Sequence, residues 1–284
     1  STQLYSTASY VNRNLTAIVL PRNNLSGWNF ASQGLNSANL FSANLTSAEL
    51  AGANLGSANL SSANLSNANL TGANLRATTL TNANFSAANL TNADLTFVSL
   101  ASTNFSLADL RSATGFSPST STITRGTILR TGSINPFTFS AGETLRIRAN
   151  TLPATALGTI TGPATSAVTL DPSAQLILSP TGATTLSIGS LTLGAGSSLV
   201  SNNNDILLNY TATSPIATLI SYLNSNQLLA DGDLNGLPTT LAISEAADLG
   251  LTGFNGIAVD ETTVILKYTY VGHANLDGQD DALD

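Results

Sequence analysis

The chain has 284 residues, enough for two domains, and 42% of them are hydrophobic while only 9% are charged, against about 25% in an ordinary soluble protein. It has no Cys and a single His, which excludes disulfides, thiol chemistry and any catalytic set built on two histidines. The formal charge of −7 is uneven: residues 1–115 carry Arg13, Arg22, Arg76 and Arg111 against Glu49, Asp94 and Asp109, whereas ten carboxylates face the lone base Lys267 from Asp231 onward.

No Met occurs, so Ser1 reads as a processed N-terminus. With the uncharged composition, this gives the expectation of a secreted protein, extracellular or at the cell surface, whose signal peptide has been removed. No apolar run reaches the ~18 residues of a transmembrane helix.

Residues 1–24 mix alternating and β-branched positions, and are expected to enter the body as a first coil, to cap an open end, or to serve as an assembly strand. Pro21 and Trp28 are candidate cap residues. From Leu15 to Leu110 every fifth residue is apolar, nearly always Leu, with Phe at Phe30, Phe85 and Phe105. From Ala38 the residue two before it is usually Ala.

A period of five fits neither a helix of ~3.6 residues per turn nor a straight strand of period two. The pattern is satisfied if Ala points in, Asn out and Leu in along a short extended wall, and the next two residues turn a corner. Pairs such as Thr46-Ser47, Gly56-Ser57 and Thr71-Gly72 are suited to that turn. Four walls per coil would stack residues twenty apart at the ~4.8 Å strand spacing, placing Phe85 against Phe105.

On these motifs (SANLT, GANLG, SANLS, NANLT), residues 15–113 resemble the pentapeptide-repeat family, with its A-(D/N)-L-x-x motif. The resemblance implies a right-handed quadrilateral β-helix of about five coils. Some members of that family imitate DNA and inhibit gyrase, which requires rows of surface acids. Here the outward residue is Asn and almost never Asp, and the scattered Arg residues do not form a phosphate-binding cluster, so no nucleic-acid partner is expected.

The fivefold phase breaks at Arg111–Gly115, and residues 114–121, with the run SPSTST, read as a linker. Residues 122–272 then read as a second, β-rich domain, sandwich or solenoid, of short strands with Gly, Pro and Ser turns. One helix is expected after Ser214-Pro215 on the spacing of Ile216, Leu219, Ile220 and Leu223, and a shorter one through Glu245–Asp248. A closing strand is expected over 263–271. Residues from about 195 to the end resemble the closing region of planctomycete-type secreted proteins with autotransporter-associated β-strand repeats and a dockerin-like loop.

That loop, residues 273–284, has the spacing of a calcium loop, with Gly278 at the turn and Asn275, Asp277, Gln279, Asp281 and Asp284 as candidate Ca²⁺ ligands. His273 at the first ligand position is atypical for a hard cation. Asn-x-Ser/Thr sequons at Asn14, Asn24, Asn44, Asn59, Asn64, Asn69 and Asn209 leave surface glycans open, although the repeat motif generates most of them.

The inventory favours no enzyme. A structural protein that self-assembles as a homo-oligomer or homopolymer is expected, with a calcium-dependent adhesin or binding module as the alternative. Phe41, Phe97 and Leu107, apolar at corner positions, are the candidate assembly contacts; packing against the chain's own second domain is the other reading of these three.

Overall fold

A computed structural model of the chain describes residues 2–134, 137–148, 150, 152–156, 160–179, 185–202, 204–230, 239–254 and 257–270. The chain divides into two compact units, Ser1–Gly132 and Ser133–Asp284.

In the first unit, parallel bridges join Asn24 to Asn44, Asn44 to Asn64, Asn64 to Asn84 and Asn84 to Asn104, and the other three walls repeat the same twenty-residue step. Each wall has the expected alternation. Leu65, Ala68 and Leu70 are sealed in the core while Asn64 and Asn69 stand outside. Phe85 and Phe105 stack with centroids 5.1 Å apart and planes 6° from parallel, and Phe116 meets Phe105 edge-on at 5.1 Å.

The corners are type II turns. Ala48 N–H donates to Leu45 C=O at 3.0 Å across Thr46-Ser47, and the second corner residue has positive φ, 55° at Ser47 and 63° at Gly52. Ser, Gly and Asn are frequent there because this left-handed region crowds the Cβ that Gly lacks and is tolerated best by small or locally hydrogen-bonding side chains.

Two sequence expectations are corrected in this unit. The segment before Arg13 is not a strand but two helical turns, α1 (Thr2–Tyr5) and α2 (Ala8–Val11), the second capped by Thr7, whose hydroxyl accepts from Tyr10 N–H at 3.2 Å. The linker placed at 114–121 lies inside the unit. The chain loops out after Thr114 and returns to the lattice, where Ile123 pairs with Asn104 and Ile128 with Asp109, one residue short of the regular step. Gly115, at φ +72°, permits the detour, because a Cβ there would run into the backbone of Thr96.

The second unit winds as well. Its strands are β1 (Ser133–Ile134), β2 (Phe137–Thr138), β3 (Thr144–Ile147), β4 (Ala154–Ala156), β5 (Ile160–Thr161), β6 (Ala167–Leu170), β7 (Gln175–Leu178), β8 (Thr185–Ile188), β9 (Ser190–Leu193), β10 (Ser198–Val200) and β11 (Asp205–Asn209). They fall on three parallel sheets in rotation: β1-β4-β7-β10, β2-β5-β8-β11 and β3-β6-β9. This is a three-sided solenoid, the second of the two expected β architectures. Leu145, Val168 and Leu191 stack on one side, as do Leu176 and Leu199 on another.

Helix α3 (Ile216–Asn224) stands where the third side's next strand would come: Leu193 N–H donates to the Tyr222 hydroxyl at 3.1 Å. Pro215 is its N-cap residue, and Ile216 N–H donates to the Ser214 hydroxyl at 3.4 Å. Beyond it come β12 (Leu228–Leu229), which extends the first sheet, then β13 (Thr239–Glu245), the small pair β14 (Gly253–Phe254) and β15 (Ile257–Ala258), and β16 (Thr263–Tyr270). Strand β16 runs antiparallel to β11, and β13 pairs outside it. The short helix expected at Glu245–Asp248 is absent: Glu245 ends β13 and residues 246–250 turn, so that Ala246 is buried beside Leu207, Phe254 and Ile265.

Candidate assembly edge of the first coil

A stacked coil satisfies each wall twice. Asn39 N–H donates to Ile18 C=O at 2.8 Å, while Asn39 C=O accepts from Leu20 N–H at 2.9 Å. In the first coil the equivalent groups of Asn14, Val19, Asn24 and Asn29 point away from the stack, where no earlier coil exists to meet them.

The helical turns cover one of these four walls fully and another by its N–H alone, since no partner of Asn14 C=O is found among the described residues. Asn14 N–H donates to Ser9 C=O at 2.8 Å. Asn29 N–H donates to the Tyr5 hydroxyl at 2.9 Å, and the Tyr10 hydroxyl donates to Asn29 C=O at 2.6 Å. The two phenols thus stand in for the missing strand. Their rings pack together at 4.7 Å, Tyr5 lies 5.9 Å from Trp28, and Trp28 lies 5.9 Å from Phe30, which ties the cap to the core. Burial pushes the Tyr10 hydroxyl up from its ordinary value, and neighbouring Tyr5 acts in the same sense.

The other two walls are open. Among the described residues, the backbone N–H and C=O of Val19 and of Asn24 have no partner, and Val19, in a position that is most often Asn, is 66% exposed. Such an edge is a template for an added strand.

The sequence-predicted contacts separate. Phe97 is 76% exposed with the Arg76 guanidinium 4.3 Å from its ring centroid. Phe41 is half-buried, with Arg22 at 5.7 Å. Leu107 is buried, so its side chain is not free to serve as a surface contact, which corrects that expectation. Trp28 packs against the core as a cap residue should, and the Pro21 carbonyl accepts from the Asn23 amide at 3.2 Å. The candidate calcium ligands Asn275, Asp277, Gln279, Asp281 and Asp284, with His273, lie outside the described residues. Within the described residues no group of three or more His, Cys, Asp or Glu is gathered as a metal site, and no helix is long and apolar enough to cross a membrane.

The open edge was not legible residue by residue. The signal available was Val19, an apolar residue at an outward position, followed by Pro21 at the corner.

Residues 38–76 and 78–114 match the family model for pentapeptide repeats, in 8 copies. Among solved structures, the chain is similar to HetL, a pentapeptide repeat protein involved in heterocyst differentiation regulation from the cyanobacterium Nostoc, at 21% identity and a TM-score of 0.30, covering 72% of this chain and 86% of that one. It is similar to a pentapeptide repeat protein of the Arabidopsis thaliana thylakoid lumen at 27% identity and a TM-score of 0.20, covering 39% of this chain and 63% of that one. A third, Rfr23 from the cyanobacterium Cyanothece, shares 25% identity with a TM-score of 0.18, covering 45% of this chain and 94% of that one. No curated protein matches the chain.

Proposed function

Since residues 38–114 are an array of pentapeptide repeats, we propose that the chain is a structural protein of the cell surface or extracellular space that assembles with copies of itself through β contacts at the open end of the array. The observation that carries this reading is the half-covered first coil, in which Val19 and Asn24 keep unpaired backbone groups beside walls that Tyr5, Tyr10 and Ser9 close. A contact between this edge and a different edge of another copy is heterologous, and such contacts build open-ended polymers when they do not close into rings. Within the second unit, β13 is the outermost strand of its sheet among the described residues and supplies such an edge. A non-catalytic role accords with the composition.

The test is electron microscopy of the protein beside Val19→Pro. Proline removes the Val19 N–H, which has no partner within the chain, so the monomer keeps its fold while the edge loses a donor. Uniform polymers from the parent chain and discrete particles from the variant are expected. Discrete particles from both, or unchanged polymers from the variant, would sink the reading. The second reading, a calcium-dependent binding module working through residues 273–284, rests on the ligand spacing of that loop. It predicts monomers whose tail binds Ca²⁺, and polymers that dissolve in a chelator would make the loop a joint of the assembly.

A further inference from the structure

One wall of the first unit departs from its own repeat in two places. The outward column that begins at Asn14 continues as Gly34, Asn54, Asn74 and Asp94, and the corner column beside it runs Thr16, Asn36, Gly56, Arg76 and Thr96. Gly34 removes the amide that Asn54 would otherwise donate to. Gly56 leaves a gap between Asn36 on the coil before and Arg76 on the coil after, about two strand spacings or ~10 Å apart. The result is a groove of ≈ 380 Å³ lined by Asn36, Ser37, Asn54, Gly56, Asn74 and Arg76, among others.

Several donors among the residues lining this groove are unspent. Asn54 Oδ1 is occupied by Gly56 N–H at 3.1 Å and by the Asn74 amide at 3.1 Å, which leaves the Asn54 amide nitrogen without a partner among the described residues. Asn36 Oδ1 accepts from the Thr16 hydroxyl at 3.0 Å, so its amide nitrogen is likewise unused. Arg76 spends Nη1 on the Thr96 hydroxyl at 3.1 Å and packs against Phe97, keeping its other donors available. Asp94 feels the Arg76 charge, but no ion pair joins them among the described residues.

From this arrangement we propose that the groove binds a carboxylated sugar of an acidic polysaccharide. The carboxylate answers the guanidinium, and the ring hydroxyls answer the Asn36 and Asn54 amides and the neighbouring serine hydroxyls. Phe97, 76% exposed beside Arg76, offers an apolar surface for the next sugar in the chain. The shallow, open shape suits an extended polymer running along the wall. The inference is independent of the assembly reading, since the groove lies on the coils from Gly34 to Arg76 and not on the open edge.

Two substitutions test it without touching the core. Gly56→Thr fills the gap, and its backbone has no positive φ to be strained; Thr already occupies the same corner place at Thr46 and Thr71. Arg76→Gln removes the charge. Affinity electrophoresis in gels containing polygalacturonate, with neutral dextran as the control polymer, gives the readout, and thermal melting verifies the fold of each variant. Retardation of the parent chain by polygalacturonate and not by dextran is expected, with at least a tenfold loss of apparent affinity in both folded variants. No retardation of the parent, equal retardation by dextran, or retention of binding by either variant would overturn the proposal.

Discussion

The Oδ1 of Asn64 accepts the side-chain amide of Asn84, twenty residues later, at 3.1 Å, and also accepts Ser66 N–H at 3.1 Å. The same pair of bonds recurs one coil on, where Asn84 Oδ1 accepts the Asn104 amide at 3.2 Å and Ser86 N–H at 3.0 Å. An amide both accepts and donates, so it extends this ladder from coil to coil, which a carboxylate, lacking the donor, does not. The preference for Asn over Asp at the outward position is thereby explained. Asn84→Asp is expected to cost about 0.5–1.5 kcal/mol for the lost bond. Pairing it with Asn64→Asp stacks two like charges on adjacent strands, so the double variant should lose more than the sum of the singles. Thermal melts at low and high salt check this, the excess shrinking as salt screens the pair.

Phe97 and Leu107 share a backbone conformation, φ 62° and 61°, that is unfavourable for large side chains. Their substitution by Asn should nonetheless act in opposite directions. At the exposed Phe97, relief of about 1–2 kcal/mol of backbone strain outweighs about 0.5–1 kcal/mol of cation–π contact with Arg76. At Leu107, which is buried, the loss of about 1.5–3 kcal/mol of apolar burial exceeds the same relief. Chemical denaturation of the two variants should show Phe97→Asn as equal to or more stable than the parent, and Leu107→Asn as less stable.

The stack of Phe85 on Phe105 sits at lattice positions otherwise held by Leu. Phe85→Leu restores the commonest residue and should cost under about 1.5 kcal/mol, whereas Phe85→Ala leaves a cavity and should cost about 3–5 kcal/mol. A double cycle with Phe105→Leu measures the ring–ring coupling, expected near 0.5–1.5 kcal/mol.

Alkaline solution should open the cap. A hydroxyl whose folded-state pKa is raised holds its proton more tightly when folded, so its contribution is complete below the ordinary tyrosine value near ~10 and is lost as pH climbs through the raised one. Above that window Tyr10 no longer donates to Asn29 C=O. Hydrogen exchange at the Asn14 and Asn29 amides, taken relative to the intrinsic base-catalysed rate at each pH from neutral to alkaline, should accelerate in the parent chain. In Tyr10→Phe it should already be fast at neutral pH, with no further step assigned to the cap. Tyr210, raised by burial and by its contact with Glu245, titrates in the same sense in the other unit, and the Tyr10→Phe comparison separates the two.

The first unit was largely legible, because one short motif dictates Ala in, Asn out and Leu in, and the twenty-residue step follows, including Phe85 on Phe105. The helical cap was hidden because β-branched and aromatic residues in the opening segment suggested a strand. Its signal was Thr7, an N-cap residue standing before Ala8. The second unit's strands were visible but their stacking was not, since apolar character alone fixes each level: Leu145, Val168 and Leu191 share a column that mixes Leu with Val. A faint period of 23 does exist, in Glu143-Thr144-Leu145, Ser166-Ala167-Val168 and Gly189-Ser190-Leu191. The open edge and the groove both depend on what is missing next to a residue, and absence of a neighbour is a property of three dimensions.

Because each wall of the array takes five residues and each circuit takes twenty, changes of length within it come in two kinds. Gaining or losing twenty residues returns every later side chain to its own wall and only makes the stack taller or shorter. Gaining or losing five moves each later wall on by a quarter turn, so that the column holding Asn64 and Asn84 would continue on a different side. Growth by whole circuits is therefore the change that preserves the columns, and the array behaves as a ruler graduated in coils, whose length can drift while the pattern on each face stays in register.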